Sequence, residues 1–257
     1  MVDNLKGSDK PWLKNYKLGP YNLKKTLEPY PEVPVHQLLE DSASSYPNQI
    51  AVEYLGRKIK YSELKVFVDK LANALAGMGV KKGDKVVTVL PNCPQFIMTD
   101  FALSKTGSAM VPCSMLHTAR DLEHEIGQSG AETLVCSEAT LNVVAPIKDK
   151  TRLKNIIVTS PMDYSAEEPG RNEVPGAIQF RDLMADHEAL APEVNINPRE
   201  DLACLAFTGG ATGLPKGVMI THYNRVCNVI QAAWMLEPLW PGIKGAEGSE
   251  TGIPLFH

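Results

Sequence analysis

The sequence predicts an α/β fold in which a parallel sheet is covered by helices. Short apolar segments alternate with amphipathic ones between residues 34 and 200, as in chains built from strand–helix–strand units. The apolar segments, such as KVVTVLP and TLVCS, are apolar almost throughout rather than at every second residue. Strands buried on both faces of a parallel sheet have this pattern. The length of 257 residues allows one or two domains of ordinary size.

Helices are predicted where apolar residues recur at helical spacing beside residues that start or stop a helix. VHQLLEDSASSY forms one helix, and Ser62 caps another that runs to about Met78, with Gly79 just beyond it. Pro94 occupies the first turn of the following helix, and Thr118 caps the next one. Further helical segments are predicted near 138–149, in FRDLMAD and in HYNRVCNVIQAAWML.

Strands are predicted for the short apolar segments. Ala51–Leu55 and Lys58–Tyr61 form a hairpin that turns at Gly56 and Arg57. The other strands are KVVTVLP, AMVPC, TLVCS, NIIVTS, LACLAF and VMI. Residues 160–177 are acidic and rich in Pro and Gly, which is typical of a surface loop or a subdomain boundary. We therefore divide the chain into an N-terminal arm (1–33), a first α/β subdomain (34–200) and a glycine-rich unit that starts a second subdomain (201–257).

Composition and charge favour a cytoplasmic protein that does not bind nucleic acid. The chain carries 26 Lys and Arg against 30 Asp and Glu, whereas nucleic-acid binders usually present a strongly basic surface. The apolar content of 44% excludes a chain that is disordered as a whole. Five scattered cysteines without a CxxC pair are expected to behave as small, reduced core residues. No apolar run approaches the roughly 18 residues of a membrane span, and no secretory signal is visible.

The N-terminal arm has its own charge. Its first 25 residues carry six Lys against two Asp and include Trp12, Tyr16 and Tyr21. Two interpretations stay open: a peripheral contact with an anionic membrane surface, and a solvated arm packed loosely on the rest of the chain. The oligomeric state, including a homodimer, also stays open.

The segment Thr208–Gly217, TGGATGLPKG, carries the chemistry that the sequence predicts. Four of its ten residues are glycine, where an average usage of about 7% would give fewer than one. Without Cβ atoms, backbone N–H groups can approach an anion closely. Thr208 and Thr212 add hydroxyl groups and Lys216 adds a positive charge, so the segment suits a polyphosphate.

Two other interpretations of this segment are less consistent with its residues. The spacing excludes a Walker loop, because Pro215 stands where that motif needs glycine directly before lysine. A glycine-rich hairpin between two strands that binds nothing is the simpler alternative. The two threonines and the lysine in one short loop favour phosphate binding over that alternative.

These residues resemble a known family. FTGGATGLPKGVMITH is similar to the phosphate-binding signature of AMP-forming acyl-CoA synthetases, the adenylate-forming superfamily, whose usual form is (Y/F)TSGTTGxPKG. Gly209 stands for the usual Ser and Ala211 for the usual Ser or Thr, so two hydroxyl donors are missing. PWLKNY and AIQFRDLM resemble the long-chain fatty acid–CoA ligases in particular, and IPLFH resembles the PxxH segment of the family. The resemblance covers roughly residues 10–257.

The resemblance implies a fold, a reaction and a set of site residues. The fold is an incomplete N-terminal domain of an adenylate-forming enzyme. The reaction is ATP-dependent activation of a fatty acid as an acyl-adenylate, followed by transfer to coenzyme A. The resemblance assigns Lys216 and Thr208 to catalysis, Thr208 to Mg²⁺ and His257 to the side of the acyl-adenylate. It assigns the ATP phosphates to Thr208, Gly209, Gly210, Ala211, Thr212, Gly213 and Lys216.

The resemblance also implies a longer protein. The family needs about twice this length, so we expect the chain to be an N-terminal part that is inactive alone. The alternatives that stay open are another adenylating enzyme (an aryl-CoA ligase, a luciferase-like oxygenase or a peptide-synthetase adenylation domain) and a non-catalytic binding lobe. The sequence does not predict the length of the acyl chain.

Histidines outside this segment give weaker signals. DLEHEIG begins like a zinc-binding HExxH motif, but Gln128 replaces the second histidine, which favours a cluster on the helix surface. His117 and His124 are interpreted as ordinary surface histidines, and His222 as a residue that flanks a helix. Trp234 is expected in the core, with a substrate contact as the alternative.

Overall fold

The computed structural model describes residues 26–167, 174–210 and 213–236. The first half of the chain contains α1 (Val35–Ser45), β1 (Ile50–Tyr54), β2 (Arg57–Lys60), α2 (Tyr61–Gly77), β3 (Lys85–Val89), α3 (Pro94–Thr106), β4 (Ala109–Pro112), α4 (Ala119–Ser129) and β5 (Thr133–Ser137). It is followed by α5 (Leu141–Val144), β6 (Asn155–Thr159), β7 (Ile178–Gln179), α6 (Phe180–Ala185), β8 (Leu202–Gly210), β9 (Gly213–Thr221) and α7 (His222–Leu236). Within the described residues, no helix combines the length and the apolar character needed to cross a bilayer.

A seven-stranded sheet forms the centre of the structure, with the order β7-β6-β5-β3-β4-β8-β9. All neighbouring strands are parallel except β8 and β9, which form an antiparallel hairpin at one edge. The separate strands β1 and β2 pair as the predicted antiparallel hairpin. The predicted fold class, a mainly parallel sheet covered by helices, is therefore confirmed.

Both faces of the sheet are buried, as the apolar strands predict. Val86 of β3 packs into a core formed with α1, α2, α3 and α6. The next residue, Val87, faces the opposite core, which contains Leu122 and Ile126 of α4. Because successive side chains of a strand point to opposite faces, apolar residues occupy most positions of these strands rather than every second one.

Several helix boundaries agree with the sequence and a few do not. Pro94 begins α3 and Thr118 caps α4, as predicted for these two helices, and the structure adds Asp121 as the second member of a capping box. Ser62 does not cap α2, because the helix already begins at Tyr61 and its N-cap residue makes no side-chain bond.

Three connecting segments also differ from the prediction. The β1–β2 turn lies at Leu55 and Gly56, one residue earlier than predicted, and both have positive φ angles. The predicted helix near 138–149 is mostly 3₁₀-helix around the short α5. The surface loop at 160–177 contains a 3₁₀ turn at Pro161–Tyr164, with its own capping box.

The predicted division into an arm and two subdomains remains a prediction. Residues 1–25 of the arm lie outside the described residues, as do 237–257 of the last unit. The strand β8, which opens that last unit, pairs with β4 through Met110 and Cys204 and so continues the main sheet.

The cysteines behave as the sequence predicts. All five are free thiols, and all are buried except Cys227, which is half-buried. Burial raises the pKa of Cys93 to about 11 and that of Cys136 to about 12. These thiols therefore stay protonated near neutral pH and act as small apolar side chains.

A partly buried cluster of charges joins α1, α2 and α3. Lys105 of α3 is 8% exposed and bonds Glu40 of α1, and its Nζ lies 2.6 Å from Asp69 Oδ1 of α2. Lys65 adds a second cation 2.5 Å from Asp69 and 3.4 Å from Glu40. Two cations and two carboxylates therefore neutralise one another between three helices.

Gly107 shows where the fold requires a residue without a side chain. It ends α3 with φ +70°, and a Cβ there would lie 3.0 Å from Val194 Cγ1 and 3.2 Å from Lys82 Cβ. Replacing Gly107 with alanine is expected to lower the free energy of unfolding by about 2 kcal/mol or more, measured by urea denaturation.

Gly130→Ala provides the matched control for this prediction. Gly130 ends α4 with φ +68°, but a Cβ there would meet nothing within 4 Å. In this variant the free energy of unfolding should fall by about 1 kcal/mol, because only the cost of placing alanine in a left-handed backbone conformation remains. Equal losses for the two variants would show that the contacts around Gly107 carry no cost.

Candidate functional site

The glycine-rich segment forms the β8–β9 hairpin at one end of the sheet. Because β8 runs parallel to β4, its last residues leave the sheet at the carboxyl ends of the parallel strands. Ligands of open α/β sheets bind just beyond the carboxyl ends of the parallel strands. The hairpin therefore lies where the fold places a small-molecule site.

Two of the predicted site residues stand opposite each other on the hairpin. Thr208 of β8 pairs with Lys216 of β9, and both side chains are exposed. The Thr208 hydroxyl lies 3.5 Å from the Lys216 carbonyl oxygen, to which it can donate. Directly opposed residues of an antiparallel pair share one face, so a hydroxyl and an ammonium group emerge side by side.

The other predicted phosphate-binding residues belong to the strands or fall outside the described residues. β8 continues through Gly209 to Gly210, which pairs with Gly213 at the start of β9. The segment is thus a hairpin in which much of the backbone pairs across the ladder, rather than an open loop after Phe207. Three of the predicted residues, Ala211, Thr212 and His257, lie outside the described residues.

The hairpin residues supply donors for an anion. Thr208 adds a hydroxyl and Lys216 an ammonium, and the glycines place no side chain over the backbone. This donor set fits phosphate oxygens. For Mg²⁺, which prefers oxygen ligands, the hairpin as described offers the Thr208 hydroxyl, so the ion would be held mainly by the phosphates it accompanies. Within the described residues, no group of three or more His, Cys, Asp or Glu side chains could hold a metal ion.

One residue that contacts the hairpin was not predicted from the sequence. His124 of α4 is half-buried, and its Nε2 lies 3.0 Å from the carbonyl oxygen of Pro215. Its ring also meets the ring of Phe207 edge to face, with 6.3 Å between centroids. The interpretation of His124 as an ordinary surface histidine is therefore wrong. Helical spacing led to that interpretation because it carries no information on contacts with distant parts of the chain.

Glu125, the residue after His124, does not form a surface cluster with it either. Glu125 is 2% exposed and bonds His117, whose Nδ1 lies 3.1 Å from Glu125 Oε2. His117 itself is 32% exposed. The contact between His117 and Glu125 links the loop before α4 to the buried face of that helix.

The helix after the hairpin, α7, is joined to the helices α1 and α3 by polar contacts. Arg225 donates two hydrogen bonds to Asp100 of α3, at 2.6 and 2.5 Å. His222 begins α7, as predicted, but is fully buried, and its Nδ1 accepts the N–H of Val35 at 3.2 Å. Trp234 is half-buried on the same helix.

His222 predicts a pH dependence of stability. Burial, with the nearby charges of His36 and Arg225, lowers the pKa of His222 to about 4, whereas a histidine in an unfolded chain titrates near 6.5. Between these values the unfolded state binds more protons, so stability is lost as the pH falls from about 6.5 to 4. The gap between the two pKa values corresponds to about 3 kcal/mol.

His222→Asn tests this dependence by removing the titrating ring while keeping an acceptor for the Val35 N–H. We expect the variant to lose less stability than the wild type between pH 6.5 and 4, measured as the free energy of unfolding in urea. Part of the slope should remain, because burial also lowers the pKa of His36. Identical slopes in the two proteins would contradict the prediction.

The mainly parallel sheet and the glycine-rich hairpin at its carboxyl edge define the N-terminal domain of an adenylate-forming enzyme. The chain belongs to the AMP-binding enzyme family, whose profile matches residues 39–252. Because this match covers most of the chain, the family resemblance predicted from the hairpin residues is confirmed.

Individual relatives agree with this assignment. The long-chain-fatty-acid–CoA ligase of Bacillus subtilis is 30% identical over 266 residues, which cover 97% of this chain and 46% of that protein. 4-Coumarate–CoA ligase 2 of Narcissus pseudonarcissus is 27% identical over 88% of the chain and 39% of its own length. The crystal structure of a long-chain-fatty-acid–CoA ligase from Archaeoglobus fulgidus superimposes with a TM-score of 0.68 at 27% identity, covering 79% of this chain and 40% of that one. The chain thus spans about half the length of the curated relatives it matches.

Proposed function

We propose that the natural protein containing this chain activates a fatty acid with ATP and transfers the acyl group to coenzyme A. The observation that carries the proposal is the hairpin on which Thr208 and Lys216 stand side by side at the carboxyl edge of the sheet. The similarity to long-chain-fatty-acid–CoA ligases along nearly the whole chain supports a fatty acid as the substrate.

In this proposal the hairpin binds the ATP phosphates. The residues assigned to them are Thr208, Gly209, Gly210, Ala211, Thr212, Gly213 and Lys216. A carboxylate oxygen of the fatty acid attacks the α-phosphorus, pyrophosphate leaves, and the coenzyme A thiol then displaces AMP from the acyl-adenylate. Lys216 and Thr208 stabilise the negative charge on the phosphates, which is the main contribution a protein makes to such a step.

Mg²⁺ and His257 complete the proposed site. Bound with ATP, the ion would neutralise phosphate charge, and Thr208 is the residue we assign to contact it. His257 is assigned to the side of the acyl-adenylate. We also propose a cytoplasmic location, which the free, buried cysteines support.

Acid-dependent release of AMP tests the proposal. The natural full-length protein would be incubated with MgATP, coenzyme A and a panel of acids: long-chain fatty acids, 4-coumarate and amino acids. We expect AMP release with the fatty acids, and no pyrophosphate exchange by the 257-residue chain alone. AMP release with no acid of the panel would contradict the proposal.

An aryl-CoA ligase is the second candidate. The similarity to 4-coumarate–CoA ligase 2 over 88% of the chain favours it over a luciferase-like oxygenase or a peptide-synthetase domain. AMP release that depends on 4-coumarate rather than on fatty acids would establish this candidate. ATP binding without turnover of any acid would instead establish a non-catalytic binding lobe.

A further inference from the structure

The strand that carries Lys216 contains an irregularity directly beside that residue. The ladder pairs Thr208 with Lys216 but Gly210 with Gly213, so its register shifts between these pairs. Two residues of β9, one of them Pro215, therefore lie opposite a single residue of β8. Such a bulge re-aims the neighbouring side chain and leaves local backbone groups outside the ladder.

His124 contacts the bulge from outside the sheet. Its Nε2 lies 3.0 Å from the Pro215 carbonyl oxygen, and because a carbonyl only accepts, Nε2 carries the proton. Within the described residues, this hydrogen bond joins α4 to β9. The edge-to-face contact with Phe207 holds the other strand of the hairpin, so a single side chain contacts both strands.

The surroundings of β9 give it little other support on this side. β9 is the last strand of the sheet, and Leu214 and Met219 are 64% and 70% exposed. A cavity of about 340 Å³ separates part of α4 from β9, with Arg120, Asp121, Glu123 and Gly127 on one side and Leu214 and Pro215 on the other. His124 therefore contacts the bulge at a place where the edge strand borders a cavity.

The helix that carries His124 is itself well fixed. Thr118 and Asp121 cap its first turn reciprocally, and Leu122 and Ile126 are buried in the core. A side chain on a rigid helix positions the groups it contacts more precisely than a side chain on a loop does.

We infer that His124 is a positioning residue of the adenylation step. It holds the Pro215 carbonyl, fixes the bulge and thereby sets where the Lys216 ammonium meets the ATP phosphates. The inference rests on the proposed function, since it gives His124 a part in the same site. His124 does not touch the reacting atoms in this role.

Two substitutions separate the hydrogen bond from the ring contact. His124→Phe keeps a ring beside Phe207 and removes the donor, whereas His124→Gln keeps an N–H donor and removes the ring. His187→Phe is the matched control, because His187 Nδ1 also bonds a backbone carbonyl, that of Leu183 at 2.8 Å, but at the end of α6.

The variants are made in the natural full-length protein and compared by two measurements. The first is ATP–pyrophosphate exchange with MgATP and a long-chain fatty acid, with kcat and the KM for ATP determined separately. For His124→Phe we expect kcat/KM to fall by about 10- to 100-fold, as misplacement of a catalytic group by about 1 Å can do. His124→Gln should recover most of this loss, and His187→Phe should match the wild type.

The second measurement is amide hydrogen exchange of peptides covering β9. We expect faster exchange across β9 in His124→Phe and unchanged exchange in α2 and α3. Wild-type exchange and wild-type kinetics in this variant would overturn the inference. Faster exchange throughout the protein would also overturn it, because His124 would then act on global stability alone.

The two measurements also separate this inference from the proposed function. A wild-type protein without pyrophosphate exchange would refute the adenylation reaction and, with it, the catalytic part of the inference. In that case, faster exchange confined to β9 in His124→Phe would still establish that His124 anchors the hairpin.

Discussion

Replacing Lys216 with alanine in the natural full-length protein is expected to slow acyl-adenylate formation by about 30- to 1,000-fold. This range corresponds to a loss of about 2–4 kcal/mol in the barrier, the usual contribution of a pre-positioned group that stabilises developing charge. Lys216 is exposed on the hairpin opposite Thr208, so its removal should alter the site without disturbing the core. ATP–pyrophosphate exchange with MgATP and a fatty acid measures the effect.

Two further variants make this result specific. Lys216→Arg keeps the charge and should recover part of the rate, although a planar guanidinium does not reproduce a compact ammonium. Lys148→Ala removes an exposed lysine outside the hairpin and should leave the rate unchanged. An unchanged rate in Lys216→Ala would show that the hairpin lysine has no part in the reaction.

Replacing Lys105 with methionine is expected to destabilise the protein by about 3 kcal/mol. Removing one partner from a buried ion cluster leaves uncompensated charge, which typically costs about 3–5 kcal/mol. Asp69 would lose the cation 2.6 Å from its Oδ1, and Glu40 would lose its bond to Lys105. Lys65 stays near both carboxylates, which places the expected loss at the lower end of that range. The free energy of unfolding in urea at pH 7 measures it.

An exposed ion pair in the same protein serves as the control. Lys58 lies 3.6 Å from Glu53, and both side chains are 59% exposed. Lys58→Met should change the free energy of unfolding by less than about 1 kcal/mol, because solvent screens such a pair. Similar losses for Lys58→Met and Lys105→Met would mean that burial does not determine how much the Lys105 contacts contribute to the free energy of unfolding.

Most helices and strands were predictable because their signals are local. The capping box of α4 depends on residues three positions apart, and Pro94 needs only its own ring to favour the first turn of α3. Continuous apolar segments predicted strands buried on both faces, as Val86 and Val87 show by entering opposite cores. Ser62 misled the prediction because Tyr61 already adopts helical geometry, which capping preferences do not reveal.

The candidate site also combines features that the sequence predicts with features that only the tertiary structure shows. The types and spacing of Thr208, Lys216 and the glycines are enough to predict a phosphate-binding segment, because they lie within ten consecutive residues. The hydrogen bond between His124 and Pro215 spans 91 positions of the chain, so no periodicity could signal it. The burial of His222, which lowers its pKa, likewise depends on the packing of α1 and α7.

By itself, the sequence determined the α/β class, the order of the main elements and the family, because apolar periodicity and a glycine-rich motif are properties of neighbouring residues. Only the tertiary structure decided that the hairpin extends the sheet beside β4, that Lys105 joins three helices and that His124 contacts the hairpin. These features arise when residues distant in the chain meet, and their energies depend on burial and distance rather than on residue type.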